Sequence, residues 1–191
     1  MWRRVSTCRT GKAASELILH GNALMLRPFD RRHADQTRAW VNDLDLARLL
    51  DRGHPVTDAE HERWYDSLVG RQDCVFFAIE TAPEGLHVGN VWLWGIDARH
   101  RKAEVRILIG ATDQVGKGLG TEALVLLTGY ARERLNLHRL YAHVLSTNPR
   151  ARRAFEKAGF QLEGVLRQDR WAGDRFADVF LMGMLLGEPA V

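Results

Sequence analysis

The stretch Ala103–Ala123, AEVRILIGATDQVGKGLGTEA, decides the fold of this chain. Apolar residues alternate over Ala103–Ile109, which predicts a strand. From Thr121 to Leu135, residues Ala123, Leu124, Leu127, Tyr130, Ala131 and Leu135 recur near the helical period of about 3.6. Between strand and helix stand Gly116, Gly118 and Gly120. Glycine has no Cβ, so its backbone N–H can approach a ligand closely. The helix N-terminus adds unpaired N–H donors and a partial positive charge. Strand, glycine loop and helix start together make a site for a diphosphate.

Three kinds of loop share that chemistry. A Walker A loop needs Ser or Thr after Gly-Lys, and here Lys117 is followed by Gly118. A dinucleotide fingerprint needs Gly-x-Gly-x-x-Gly in a first βαβ unit; this loop reads Gly-x-Gly-x-Gly and sits in mid-chain. An acyl-coenzyme A loop, whose ligand also carries a diphosphate, is the third option, and a structural turn with no ligand stands beside it.

On the N-terminal side, Ala23–Phe29 and Cys74–Glu80 predict strands, as do His87–Trp94 and the start of the quoted segment, joined by a charged hairpin at Asp97–Lys102. One helix is expected over His33–Leu50. A second opens at Thr57, with Glu60 completing a capping box, and closes at Gly70. On the C-terminal side come a strand at Arg139–Leu145 and a helix capped by Asn148 with Pro149 in its first turn, ending at Gly159. Strands at Gln161–Arg170 and Phe176–Leu185 follow. This alternation is that of a mixed α/β single domain over residues 16–187.

Composition sets outer bounds. The chain has 191 residues, 46% of them hydrophobic and 27% charged, which suits one globular domain. No apolar run approaches the roughly 18 residues of a membrane span, so no membrane partner is expected. The net charge of +3 is carried by Arg3, Arg4, Arg9 and Lys12, and without them no basic surplus remains for nucleic acid. Residues 1–15 are expected to form a disordered basic extension. Cys8 and Cys74 make no disulfide framework, so a reducing, cytoplasmic location is expected. The histidines, His54 and His61 included, show no ligand spacing, and no metal site is expected. Trp92 and Trp94 share one strand face, where core packing is expected. No Gly-x-Ser-x-Gly elbow or Cys–His pairing marks a covalent nucleophile.

Two segments now support a resemblance. Gln114–Ala123 (QVGKGLGTEA) resembles motif A of the GNAT N-acetyltransferase superfamily, and Asn148–Phe160 (NPRARRAFEKAGF) resembles its motif B. Leu24–Phe29 (LMLRPF) is similar to the opening strand of the ribosomal-protein-alanine and spermidine acetyltransferase branch. The likeness covers about residues 17–186. It implies a mixed, mostly antiparallel sheet with about four helices and a splayed parallel pair, Ala103–Ile109 beside Arg139–Leu145. It implies acetyl-CoA as cosubstrate, its pantetheine arm bonded to main-chain groups of Ile107, Leu108 and Ile109. An N–H of Leu108 or Ile109 would stabilise the oxyanion. Main-chain amides of Val115, Gly116, Lys117, Gly118, Leu119, Gly120 and Thr121 would hold the diphosphate. Asn148 would bond near the pantetheine end, and Phe155 would pack in the core or on the pantetheine. Arg150, Arg152 and Arg153 cluster at the start of a helix, where a solvated helix face is expected ahead of contact with the CoA 3′-phosphate, for which Arg153 is the candidate.

The implied reaction is direct attack of a neutral amine on the thioester, so a base must take the amine proton. Glu104 is the candidate base, against a plain strand-edge acid paired with Arg106 or Lys102. Relatives often carry Gln or Arg at the position of Val115, Ser at Ala151 and, as the acid that protonates the thiolate, Tyr at Phe155. Phenylalanine donates no proton, so Ser146 and Tyr141 are the candidate substitutes. Trp171, Asp174 and Asp178 fall where the family closes its acceptor pocket. The acceptor class stays open between a polyamine or amino-sugar and a protein N-terminus. A non-catalytic acyl-CoA-binding module and a nucleotide-binding protein are the rivals, and the family implies a homodimer through the last strands.

Overall fold

The computed structural model describes residues 17–50 and 55–187. The extension expected over residues 1–15, with Cys8, and also His54, lie outside that range. A two-residue strand β1 (Leu19–His20) precedes β2 (Leu24–Pro28). Helices α1 (Arg31–Val41), α2 (Leu44–Leu49) and α3 (Asp58–Leu68) follow. Then come β3 (Cys74–Thr81), β4 (His87–Asp97), β5 (Lys102–Ile109), α4 (Leu119–Glu133), β6 (Arg139–Leu145), α5 (Pro149–Lys157), β7 (Gln161–Trp171) and β8 (Phe176–Leu185). The eight strands form one sheet in the order β1-β2-β3-β4-β5-β6-β8-β7, antiparallel throughout except for the parallel pair β5 and β6. This is the expected mixed α/β architecture.

Among the described residues five α-helices stand where about four were expected, because the periodic stretch His33–Leu50 breaks at Asn42 and Asp43. Asn42 Nδ2 donates to the Val56 carbonyl and its Oδ1 accepts from the Val56 N–H. Asp43 then caps α2 through the N–H groups of Asp45 and Leu46. A side chain that bonds a distant loop and a strong cap beside it together outweigh continuous helical periodicity. Asp30 starts α1 two residues earlier than the periodicity indicated, in a capping box closed by His33. The expected capping box of Thr57 and Glu60 opens α3, and Asn148 with Pro149 opens α5.

The core lies between α4 and the sheet. Ala123, Leu124, Leu127 and Ala131 of α4 are fully buried in one cluster with Phe77, Val91, Val105 and Leu140. Full burial of each leucine contributes about 1.5–3 kcal/mol. That cluster clamps the glycine loop's helix onto β5. On the other face, Trp40 of α1 seats against Gly110, where a Cβ would stand 2.0 Å from the indole. This contact brings α1 and α2 over the C-terminal end of β5, where Trp40, Val41, Leu46 and Leu108 pack together. Among the described residues no helix is long and apolar enough to cross a membrane.

Candidate active site

Strands β5 and β6 pair over only three residues each, Lys102–Glu104 against Arg139–Tyr141. Beyond Glu104 and Tyr141 they part, while β5 stays paired with β4 to Ile109 and β6 with β8 to Leu145. The sheet is therefore split from within, and the facing main-chain groups along the split have no ladder partner. An unpaired backbone group inside a protein calls for another hydrogen-bonding partner. A cavity of about 700 Å³ occupies the split. Val105, Ile107 and Leu108 line it from β5, Val144 and Leu145 from β6, and Asn148, Ala151 and Phe155 from the start of α5. The splayed pair implied by the family resemblance is thus present.

The glycine loop lies at the end of β5. A short 3₁₀ turn, Thr112–Gln114, leads into it. Gly116 and Gly118 have φ of 88° and 86°, a left-handed conformation that costs other residues roughly 1–2 kcal/mol. Helix α4 begins at Leu119, two residues before the expected Thr121, because left-handed Gly118 serves as the N-cap. Gly118 offers no side chain to the helix start, and the first helical bond is from the Glu122 N–H to the Gly118 carbonyl. The N–H groups of Leu119, Gly120 and Thr121 are therefore left without a capping side chain, as an anion site requires. Val115 and Gly120 are half-buried, while Gly116, Lys117 and Gly118 are exposed. Lys117 Nζ donates to Gln114 Oε1 at 3.1 Å.

Of the residues assigned to the pantetheine end, Asn148 lines the cavity and also caps α5, accepting from the Ala151 N–H at 3.0 Å. Phe155 is 3% exposed, lines the cavity and packs edge-on against Phe160 at 5.0 Å. Ile109 is half-buried and Arg153 is exposed; neither lines the cavity. Arg152 beside it is engaged by Glu156 at 2.8 Å and lies over the Phe180 ring.

Glu104 stands on the cavity wall at the point where the strands part. Its carboxylate accepts from Arg106 Nη2 at 2.8 Å, the expected strand-edge pairing, and its other oxygen lies 3.2 Å from His143 Nδ1. His143 also lines the cavity. With Nδ1 turned to Glu104, Nε2 is the ring nitrogen left for another partner. Base and orienting carboxylate within hydrogen-bond reach is the arrangement that general-base chemistry uses. Sequence reasoning missed His143, a lone histidine in an alternating strand. Its meaning emerges only from the parallel register, in which Glu104 faces Tyr141 and His143 lies one step further along the same face.

Tyr141 packs against His143 at 5.9 Å, and the Ser146 N–H donates to the Asp178 carbonyl. Neither Tyr141 nor Ser146 lines the cavity. Nor do Trp171, Asp174 and Asp178, whereas Arg170 does. Trp171 packs on Phe176, and Asp178 accepts from the Gln168 N–H. Trp92 and Trp94, expected in the core, are half-buried and face the cavity with Trp64 and Phe76.

A buried polar network backs this wall. Asn90 and Thr37, 1% and 4% exposed, both line the cavity. Asn90 Nδ2 donates to Thr37 Oγ1 at 2.9 Å, Thr37 donates to the His33 carbonyl, and Asn90 Oδ1 lies 2.9 Å from His87 Nε2. Burial lowers the His87 pKa, so its ring is held neutral. Behind it, His33 Nε2 lies 3.1 Å from Glu80 and Arg27 Nε bonds the same carboxylate at 3.0 Å. Burial alone would raise the Glu80 pKa, but hydrogen bonds from His33 and Arg27 outweigh it and the net shift is downward. His61, weighed above as a metal ligand, is buried and bonds the Ala34 carbonyl at 2.8 Å. Among the described residues no group of three or more His, Cys, Asp or Glu could hold a metal ion.

Residues 23–161 match the family model described as acetyltransferase (GNAT) domain. The chain therefore belongs to the GNAT family of acyl-CoA-dependent N-acetyltransferases. It is 37% identical over 109 residues to a spermidine N(1)-acetyltransferase of Vibrio cholerae, a match spanning 57% of this chain and 62% of that protein. It is 29% identical over 161 residues to the spermidine N(1)-acetyltransferase of Escherichia coli K12, spanning 84% of this chain and 85% of that one. Among solved structures it is similar to V. cholerae spermidine N-acetyltransferase crystallised with CoA and spermine. There the TM-score is 0.80 at 29% identity, over 87% of this chain and 97% of that chain.

Proposed function

We propose that this protein moves the acetyl group of acetyl-CoA to a primary amine by direct attack in a ternary complex. One observation carries the reading: the split between β5 and β6 opens at the Glu104–His143 pair and follows β5, after whose end the glycine loop stands. Pantetheine lies in the split, its amides bonded to the free main-chain groups of Ile107, Leu108 and Ile109. The N–H groups from Val115 to Thr121 hold the diphosphate, and Asn148 and Phe155 flank the pantetheine.

The amine enters from the side of α1, α2 and β4. His143 Nε2 takes its proton while Glu104 fixes the ring through Nδ1–H. The amine nitrogen bonds the thioester carbon, the oxyanion gathers on an N–H of Leu108 or Ile109, and the C–S bond breaks. Phe155 offers no proton and Tyr141 and Ser146 stand outside the cavity wall, so CoA departs as the thiolate and is protonated by water. Curated relatives are spermidine acetyltransferases by name, which makes polyamines obligatory members of any acceptor panel. A cytoplasmic location is part of the same reading; Cys74 is buried in β3. Val165, Leu166, Trp171 and Phe176 are exposed on the edge of the sheet at β7 and β8, a surface suited to a homodimer.

The test is thiol release from acetyl-CoA against polyamines, amino-sugars, aromatic amines, amino acids and N-terminal peptides. Amine-dependent release of CoA supports the reading. Binding of acetyl-CoA with no release for any amine overturns it in favour of a non-catalytic acyl-CoA module.

A further inference from the structure

We infer that the acceptor is a monoamine carried on a flat aromatic body; this rests on the amine transfer proposed above and names its substrate class. The acceptor end of the cavity is walled by four rings: Trp64 of α3, Phe76 of β3, and Trp92 and Trp94 of β4. Trp64 meets Phe76 edge-on at 5.6 Å, and Phe76 lies flat on Trp92 at 4.7 Å with 14° between the planes. All four are half-buried, so ring surface remains open on the cavity side. An aromatic guest removes that surface from water and continues the stack.

Charge on the same wall disfavours a polyamine. Among the described residues lining the cavity, Glu104 is the one carboxylate, against the guanidinium groups of Arg106 and Arg170. Each Glu104 oxygen already has a partner, in Arg106 and His143, which leaves about two of its roughly four lone-pair sites open. The Trp94 face, a natural seat for an ammonium group, already carries the Arg71 guanidinium at 4.1 Å, with Arg106 at 5.7 Å. Asn90 cannot serve as a second anchor, because its carbonyl faces His87 and its amide nitrogen bonds Thr37. A polyamine would bring two or more ammonium groups to a wall whose one lining carboxylate is partly engaged and whose two guanidinium groups, Arg106 and Arg170, are already bonded to Glu104 and Asp169. Each unmatched ammonium is desolvated without compensation and lies near like charge. A monoamine places its single nitrogen at His143 and its ring on Phe76 and Trp92, and leaves no cation stranded.

The experiment compares kcat/KM for phenethylamine and tryptamine with that for spermidine and spermine, using full-length protein and saturating acetyl-CoA. The aromatic amines are expected to exceed the polyamines by at least about tenfold, the scale on which pocket contacts discriminate substrates. Trp92→Leu should raise the KM for phenethylamine more than it lowers kcat, with acetyl-CoA affinity unchanged. Arg170→Gln, which removes a cavity-lining cation bonded to Asp169, should raise kcat/KM for spermidine relative to that for phenethylamine. Spermidine outperforming both aromatic amines in the wild type overturns this inference and leaves the transferase reading intact. CoA release with no amine of any class overturns both.

Discussion

Replacing His143 with glutamine removes the imidazole and keeps a side chain able to bond Glu104. In the native protein His143 Nδ1 lies 3.2 Å from the Glu104 carboxylate, and Arg106 holds the other oxygen at 2.8 Å. The His143 side chain is 36% exposed, so loss of the pair costs at most about 1 kcal/mol of stability. Folding is therefore expected to survive. A positioned general base contributes about 10²–10⁴ in rate, which is roughly 2.7–5.5 kcal/mol at about 1.4 kcal/mol per decade. The assay is initial-rate CoA release at saturating acetyl-CoA, repeated across pH with the best acceptor amine. His143→Gln should lower kcat by at least about a hundredfold with acetyl-CoA affinity unchanged. The remaining rate should climb with pH, as more of the free amine is neutral before it binds. Glu104→Gln keeps the ring and loses its orientation, so a smaller loss of about ten- to a hundredfold is expected. A His143→Gln enzyme that keeps the wild-type rate refutes the assignment of the base. If Glu104→Gln alone abolishes activity, the carboxylate is itself the proton acceptor.

Three further outcomes follow from the packing. Gly110→Ala drives a Cβ to 2.0 Å from the Trp40 indole. Such overpacking costs about 1–3 kcal/mol, read as a fall in Tm of about 2–4 °C per kcal/mol for a chain of this size. Phe155→Ala empties a site that is 3% exposed and should cost about 3–5 kcal/mol, with a raised KM for acetyl-CoA if the protein remains folded. Burial lowers the pKa of His61 and His87 below the ordinary 6.5. The unfolded chain therefore takes up those protons first, and stability that is full above pH 6.5 declines as the pH falls, by up to about 1.4 kcal/mol per pH unit for each ring. Denaturant titrations between neutral and mildly acidic pH check this; equal stability across that span contradicts it.

Much of the fold was legible because its signals are local. Strand alternation, the capping residues Thr57 and Asn148, and the glycines at 116, 118 and 120 each act within a few residues of themselves. The break at Asn42 was not legible, because it depends on a bond to Val56 across an intervening segment. Strand β1 has two residues and carries no periodicity. The glycine loop and the capped start of α5 follow from contiguous motifs and could be read in advance. The acceptor half is assembled from α1, α3, β3, β4 and β6, so His143, Thr37 and Asn90 gain meaning only through register and tertiary packing. Trp92 and Trp94 show the same limit: alternation assigns them to one face but does not say whether that face meets core or cavity.

Calorimetric titration of acetyl-CoA into the wild type and into Gly118→Ala tests the central claim most directly. Gly118 has no heavy atom within 4 Å of an added Cβ, and φ is 86°, so the substitution acts through backbone strain on the loop's amides. One acetyl-CoA per wild-type chain is expected, with a dissociation constant in the range of about 1 μM to 1 mM, and binding weakened about tenfold in the variant, from strain of roughly 1–2 kcal/mol. Wild-type protein that binds no acetyl-CoA at millimolar concentration, or a variant that binds it as tightly as the wild type, contradicts it.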